Sequence, residues 1–423
     1  MSIKSSYRRA MPYIIISLSS IFYLYELCIR VSPSAITNEL LRDFGTNTAA
    51  LGFMSSLFYY SYTLMQIPAG LLGDKFGPRK MLFVAAIICA FSLIFMSYTP
   101  TIWGVGVARL FLGLASSFGY IGPLILASRW FSNNSFAFVT GVVQAIGCIG
   151  AILGTAPIAY FSHIYDWREI MLYMGGSCLI IAILFLIIIV DSPTKKHENR
   201  QEKTKITELS KLKIVLYSKQ TWVTGLIGGL FWAPMAMFAE LWGIPFLMNL
   251  NHSNAEIASS SILIIWIGVA IGSPLFGWIS GRIRSRKKPI IAAMTINFIS
   301  CLGIAFWHPL STIEMDIILF LLGFSSAAMS VTFGIVNDNN KPEVVGTAIG
   351  FNNMAVVLGA TILQPIGGYI INLFWDGRFV SGIPIYKLEG YLYAFSILPI
   401  LSLCGILICI FSLKETNCIK QYK

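Results

Sequence analysis

Gly70-Leu71-Leu72-Gly73-Asp74-Lys75-Phe76-Gly77-Pro78-Arg79-Lys80 is answered, about 210 residues later, by Gly277-Trp278-Ile279-Ser280-Gly281-Arg282-Ile283-Arg284-Ser285-Arg286-Lys287. The second copy is degraded: Gly281 stands where Asp74 does, and Arg284 where Gly77 does. Three further matches recur at nearly the same separation. Glu26-Leu27 pairs with Glu240-Leu241, Leu112-Gly113 with Leu322-Gly323, and Gly141, Gln144 and Gly150 with Gly350, Asn353 and Gly359. Each match is weak alone, but the shared offset reads as a parallel duplication of two six-span units.

The surroundings of these loops are apolar. With 56% hydrophobic and 12% charged residues in 423, and a mean hydropathy of +0.74, the chain holds more apolar surface than a soluble core can bury. Met11 to Ala35 is long enough to span a bilayer as a helix, which takes about 20 residues, and it follows Lys4, Arg8 and Arg9 without a small-residue cleavage pattern. It is expected to be a retained first span. Spans are expected near 11–36, 48–72, 81–98, 101–128, 137–160, 170–190, 221–247, 257–280, 289–306, 313–335, 345–374 and 390–413. The predicted fold is therefore an all-α polytopic membrane protein, with twelve transmembrane helices in two pseudo-symmetric six-helix bundles. Residues 1–190 form the first bundle, 191–220 a lysine-rich cytoplasmic linker, flexible or surface-helical, and 221–423 the second bundle with a short cytoplasmic tail.

Charge placement sets the expected topology. Outside loops hold only Arg42, Arg168, Arg378 and Lys387, and Arg30 and Arg109 fall within spans. Every other lysine and arginine lies in the inside loops and tails, so both termini are expected in the cytoplasm, with the chain in the inner membrane. The net charge of +11 lies in short clusters between spans, which argues against nucleic acid as a partner. Seven of the eight cysteines (Cys28, Cys89, Cys148, Cys178, Cys301, Cys404, Cys409) sit in apolar segments without a CxxC pair or partnering histidines, so no metal, disulfide scaffold or cofactor is expected. Nor is an enzyme, since no phosphate-cradling loop or metal-ligand cluster is present.

The loop Gly70 to Lys80, between spans 2 and 3, resembles the signature loop of the major facilitator superfamily. Glu26 to Ser34 (ELCIRVSPS), Phe58 to Lys80 (FYYSYTLMQIPAGLLGDKFGPRK) and Gly346 to Pro365 (GTAIGFNNMAVVLGATILQP) look like a bacterial branch of it, near the organophosphate and phagosomal nutrient transporter groups. Arg109 followed by Gly113 resembles the family's Arg-x-x-x-Gly element, associated with proton-driven members. The resemblance implies alternating access by two rocking bundles, with spans 1, 4, 7 and 10 lining a central cavity.

Within the spans, the fully charged residues are Glu26, Arg30, Arg109 and Glu240, each expensive in lipid, at about 2.5–3.5 kcal/mol on insertion scales. Glu26 and Arg30 lie four apart and meet on one helix face, either as an amphoteric patch for a zwitterion or anion or as a structural ion pair. Proton coupling needs a buried group that changes protonation. His163, His197, His252 and His308 lie in loops or near span ends, which leaves Glu26 and Glu240, with Arg30 or Arg109 as the competing charge. Glu240 reads equally as an interfacial residue in outside water. Gly70, Asp74, Gly77, Arg79 and Lys80 are expected to form a conformational gate, its acid and bases making ion pairs that lock one state.

Tyr23, Tyr59 and Trp232 are expected as aromatic walls of a substrate site, and Gln144, Asn352 and Asn353 as its hydrogen-bonding groups, with helix–helix contact the alternative for the amides. Gln66, Gln364, Tyr60, Tyr62 and Trp242 are further polar or aromatic positions. The glycines of spans 5 and 11 permit close approach of sliding helices. The leading expectation is proton-driven uptake of a small polar nutrient, an amino acid or similar zwitterion first, by a monomer. An organic-anion or phosphorylated-metabolite carrier, a drug or siderophore exporter, and a non-transporting nutrient sensor are the alternatives.

Overall fold

Backbone groups in lipid have no water to bond, so apolar runs of this length must satisfy them internally, as helices. The computed structural model describes the chain except residues 1–2, 46–47, 155, 163, 193–206, 252–254, 308–310, 381–382 and 423. Among the described residues, 11 helices are long and apolar enough to cross a membrane, from Ala10–Pro33 to Leu388–Phe411. The stretch expected as span 2 is also one unbroken helix, Thr48–Phe76. The four histidines and most of the lysine-rich linker fall outside the described residues; the end of the linker is a helix, Glu208–Tyr217.

Local chemistry sets the helix ends. Span 3, Pro78–Tyr98, starts with proline after Gly77, whose φ of 82° lies in the left-handed region that glycine adopts without a Cβ penalty. Span 4, Ile102–Trp130, is capped by Thr101, whose side chain accepts from Gly104 N at 3.2 Å. Span 6, Trp167–Ile188, opens on a capping box of Asp166 and Glu169.

Several spans are less regular than their hydropathy suggested. Span 5 is Asn133–Leu153 followed by the short helix Ala156–Ser162. Span 7 runs Lys219–Pro234, continues as a π-helix over Met235–Trp242 and returns to α geometry at Gly243–Asn251. Span 10 is broken between Thr312–Ser326 and Met329–Asn339, and span 12 between Leu388–Phe395 and Ile397–Phe411. Span 11, Val345–Leu373, leads into a small antiparallel hairpin, β1 (Trp375–Val380) with β2 (Ile383–Tyr386), a local exception to the all-helical plan.

The chain divides into two units. Unit 1 is Met1–Ser132, Ile146–Tyr217 and Asn340–Met354; unit 2 is Asn133–Ala145, Ser218–Asn339 and Ala355–Lys423. The first turns of span 11 thus belong to unit 1, and the first half of span 5 to unit 2. Inside unit 1, span 2 packs on span 4 and span 3 on span 6; inside unit 2, span 8 (Ala255–Ile283) packs on span 10 and span 9 (Lys287–Phe306) on span 12. The duplication read from sequence is also present in contact detail. A Cβ on Gly70 would lie 2.3 Å from Gly346 O in unit 1, and one on Gly277 would lie 2.2 Å from Ala137 O in unit 2, so backbone touches backbone at matching places.

Candidate functional site

Span 1, Ile3–Ala35, contains Pro33, which has no N–H to offer the carbonyl of Ile29 one turn earlier. Two donors replace it: Arg109 Nη1 at 3.0 Å and Ser32 Oγ at 3.0 Å. Arg109 Nη2 also donates to Arg30 O at 3.3 Å. The span 4 arginine therefore secures a proline-weakened turn of span 1, and it does so beside the two charges that span 1 carries.

Those charges meet as their spacing predicts. Arg30 Nη2 lies 2.5 Å from Glu26 Oε1, with the Glu26 side chain 0% exposed and that of Arg30 15%. Span 2 provides the wall. The Arg30 guanidinium carbon is 4.5 Å from the Tyr62 ring centroid and 5.6 Å from that of Phe58, and Arg109 approaches the same Phe58 ring at 4.7 Å. Tyr62 and Phe58 stack at 12°, with centroids 5.9 Å apart. Glu26 Oε2, Arg30 Nε and Arg109 Nε are buried without hydrogen-bond partners, and no side chain at Gly119 crowds Glu26, since a Cβ there would stand 3.3 Å from Glu26 Cβ. Two guanidiniums against one carboxylate leave this buried cluster with an excess of positive charge, and an isolated buried charge is costly unless something pairs with it.

The other predicted residues distribute as follows. Tyr23 is buried with its ring 4.8 Å from that of Tyr120, whereas Tyr59 is 40% exposed at the edge of the cluster, its ring centroid 6.0 Å from the Arg30 guanidinium. Asn352 and Asn353 are both buried in unit 1, and Asn353 Nδ2 donates to Gln66 Oε1 at 2.7 Å and to Tyr62 Oη at 3.4 Å. Gln144, Trp232 and Glu240 belong to unit 2. There the π segment of span 7 presents Glu240, whose Oε1 accepts from Trp232 Nε1 at 3.2 Å and Oε2 from Gln364 Nε2 at 3.4 Å. Gln364 also donates to Ala236 O at 2.9 Å, a carbonyl of the π segment.

The residues expected to form a conformational gate are placed as follows. Val344, just before span 11, has no side-chain oxygen to cap the helix, and Asp74 supplies the cap from span 2. Its Oδ1 accepts from Gly346 N at 2.8 Å, and its Oδ2 from Thr347 N at 2.8 Å and Thr347 Oγ1 at 2.6 Å. A carboxylate at a helix N-terminus also meets the positive end of the helix dipole. Arg79 is engaged elsewhere: its N–H donates to Asp191 Oδ1 at 2.7 Å and its guanidinium to Leu186 O, while Lys80 is exposed. Gly77 makes the turn, and Gly70 gives span 2 its close approach to span 11.

Sequence reading missed Thr347, Asp191 and a node in unit 2. There Arg286 pairs with Asp338 at 2.9 Å, both side chains 0% exposed, and donates to Asn133 O at 2.7 Å and Ser280 Oγ at 3.2 Å. Glu415 from the tail caps span 9, accepting from Arg286 N at 2.9 Å and Lys287 N at 3.1 Å. The short tail packs on the bundle, with Thr416 Oγ1 2.7 Å from Asp338 Oδ2 and Gln421 N 2.8 Å from Asp338 O.

Duplicated helical units, a buried intramembrane charge cluster and a helix cap supplied from a distant span define a membrane transporter of the secondary type. The chain belongs to the Major Facilitator Superfamily, whose model matches residues 18–363 and 267–417. It is similar to a probable galactarate/D-glucarate transporter of Escherichia coli (strain K12), 20% identical over 377 residues, covering 81% of this chain and 83% of that protein. A probable hexose phosphate transport protein of Chlamydia muridarum (strain MoPn / Nigg) is 23% identical over 394 residues, 85% of each chain. Among solved structures, the proton:xylose symporter XylE bound to 6-bromo-6-deoxy-D-glucose has the same fold, with a TM-score of 0.73 at 13% identity over 98% of both chains.

Proposed function

We propose that this transporter carries an organic anion, a sugar acid or sugar phosphate, across the inner membrane by alternating access, with Arg30 as the anchor for the anionic group. The observation that carries the reading is the excess of buried positive charge around Phe58, where Arg30 and Arg109 face a single carboxylate, Glu26. A zwitterion would bring its own cation into a cluster already rich in cations. An anion completes it, and a planar guanidinium suits a carboxylate or phosphate through paired N–H donors. The named cargo of the two sequence relatives, sugar acids and hexose phosphate, supports this class over amino acids.

In the proposed cycle Glu26 holds Arg30 while the site is empty. An arriving anion takes over the guanidinium, and the released carboxylate accepts a proton, which couples the two movements. Glu240, with Trp232 and Gln364, is the second candidate for coupling; Tyr23 and Asn352 are retained as side chains that contact substrate. Clustering of lysine and arginine on one side supports cytoplasmic termini.

The test is ligand-induced thermal stabilisation of the purified protein, since a ligand bound only by the folded state raises its melting temperature. D-glucarate or glucose 6-phosphate is expected to stabilise it and glycine or alanine not to. Arg30→Ala is expected to weaken the response by about tenfold or more in affinity, about 1.4 kcal/mol. Stabilisation by amino acids alone, or an undiminished anion response in Arg30→Ala, would contradict the proposal.

A further inference from the structure

Tyr62, in the wall of the Arg30 cluster, and Asp74, which makes the cap, stand on different turns of span 2, and the first turns of span 11 reach both. Span 11 begins at Val345, where the N–H groups of Gly346 and Thr347 are held by Asp74. Two turns on, Asn353 reaches Gln66 and Tyr62. Between these points backbone meets backbone at two glycines: a Cβ on Gly350 would lie 2.3 Å from Gln66 O, and one on Gly70 would lie 2.3 Å from Gly346 O. Backbones packed this closely move together, because interiors at close-packed density transmit displacement.

Tyr62 touches both the Arg30 cluster and span 11. Its ring lies under the Arg30 guanidinium at 4.5 Å, and its hydroxyl accepts from Asn353 Nδ2 at 3.4 Å. Gln66 holds the same amide at 2.7 Å and donates its own Nε2 to Tyr62 O at 3.2 Å. We propose that Tyr62, with Gln66 and Asn353, is a positioning relay that ties the placement of the Arg30 guanidinium to the hold of Asp74 on the first turn of span 11. The relay rests on the reading of Arg30 as the substrate anchor. When an anion draws the guanidinium away from Glu26, the cation leaves the face of Tyr62, the phenol is free to turn, and the Asn353 amide loses one acceptor. Span 11 then loosens along its seam with span 2, and the Asp74 cap opens.

Hydrogen exchange tests it without a ligand. The amides of Gly346 and Thr347 precede the first intrahelical bond, that of Ala348 N to Val344 O, so Asp74 is what protects them. In the full chain in lipid nanodiscs, Tyr62→Phe, which keeps the ring and removes the hydroxyl, is expected to speed exchange at these amides about tenfold, or about 1.4 kcal/mol. Arg30→Met is expected to do the same, and the double variant no more than the larger single, because both cut one path. Exchange in span 9 of unit 2 should stay unchanged in all three, reporting an intact fold; Asn353→Ser removes the same bond from the other side and should match Tyr62→Phe. Unchanged exchange at Gly346 and Thr347 in both Tyr62→Phe and Asn353→Ser, or additive effects of Tyr62→Phe and Arg30→Met, overturns the relay. Failure of the anchor reading shows separately, as glucose 6-phosphate or D-glucarate binding that survives Arg30→Met.

Discussion

The loop joining spans 2 and 3 and the loop joining spans 8 and 9 share one ancestral pattern, yet they fasten opposite chemical groups. In unit 1 the Asp74 carboxylate accepts from the amides that open span 11. In unit 2, Gly281 occupies the matching place and packs on Asn134 O, where a Cβ would stand 2.3 Å away, and fastening passes to Arg286, which donates to Asn133 O and pairs with buried Asp338. The first contact resembles a helix cap, worth about 1–2 kcal/mol. Breaking the second leaves a buried charge without its partner, which costs about 3–5 kcal/mol. A contact that must open in each transport cycle is better built from the cheaper one. On this ground we propose Asp74 as the working latch and Arg286 with Asp338 as a fastening that stays closed, the costlier contact standing where the motif is degraded in sequence.

Three substitutions probe this difference. Asp338→Ala is expected to have the largest effect, a loss of about 3–5 kcal/mol seen as a steep fall in melting temperature and poor recovery of folded protein. Asp74→Ala should cost only about 1–2 kcal/mol of stability while exposing Gly346 and Thr347 to exchange. Equal losses from the two would erase the distinction. The smallest effect belongs to the turns. Gly77 and Arg284 both adopt positive φ, 82° and 49°, and for arginine that backbone is strained by roughly 1–2 kcal/mol. After the extra chain entropy of glycine, Arg284→Gly is expected to gain about 0.5–1 kcal/mol, a small rise in melting temperature. A fall would mean that the Arg284 side chain has a role of its own.

The spans and their duplication were legible because lipid forces long apolar runs, and because matching residues recur at one separation. Gly70 with Gly346 and Gly277 with Ala137 show that the matches mark real contacts. The Glu26–Arg30 pair was legible from spacing alone. The partner of Asp74 was not, since two of its three bonds come from backbone amides 272 and 273 residues away, which leave no side-chain signal, and the third comes from a single threonine, Thr347. Arg109 was readable in principle: Pro33 strips a donor from Ile29 O, and a buried arginine with many N–H groups is suited to replace it. The π segment around Glu240 and the packed tail depend on tertiary bonds, Gln364 to Ala236 O and Gln421 to Asp338 O, which local propensity does not encode.

Uptake into proteoliposomes, followed with labelled D-glucarate and glucose 6-phosphate under an imposed proton gradient, tests the central claim most directly. The account predicts that the wild-type protein accumulates at least one of these anions, that Arg30→Ala does not transport it, and that Glu26→Gln lets it equilibrate without concentrating it. Accumulation of a neutral sugar or an amino acid in place of both anions, or undiminished anion uptake by Arg30→Ala, would contradict it.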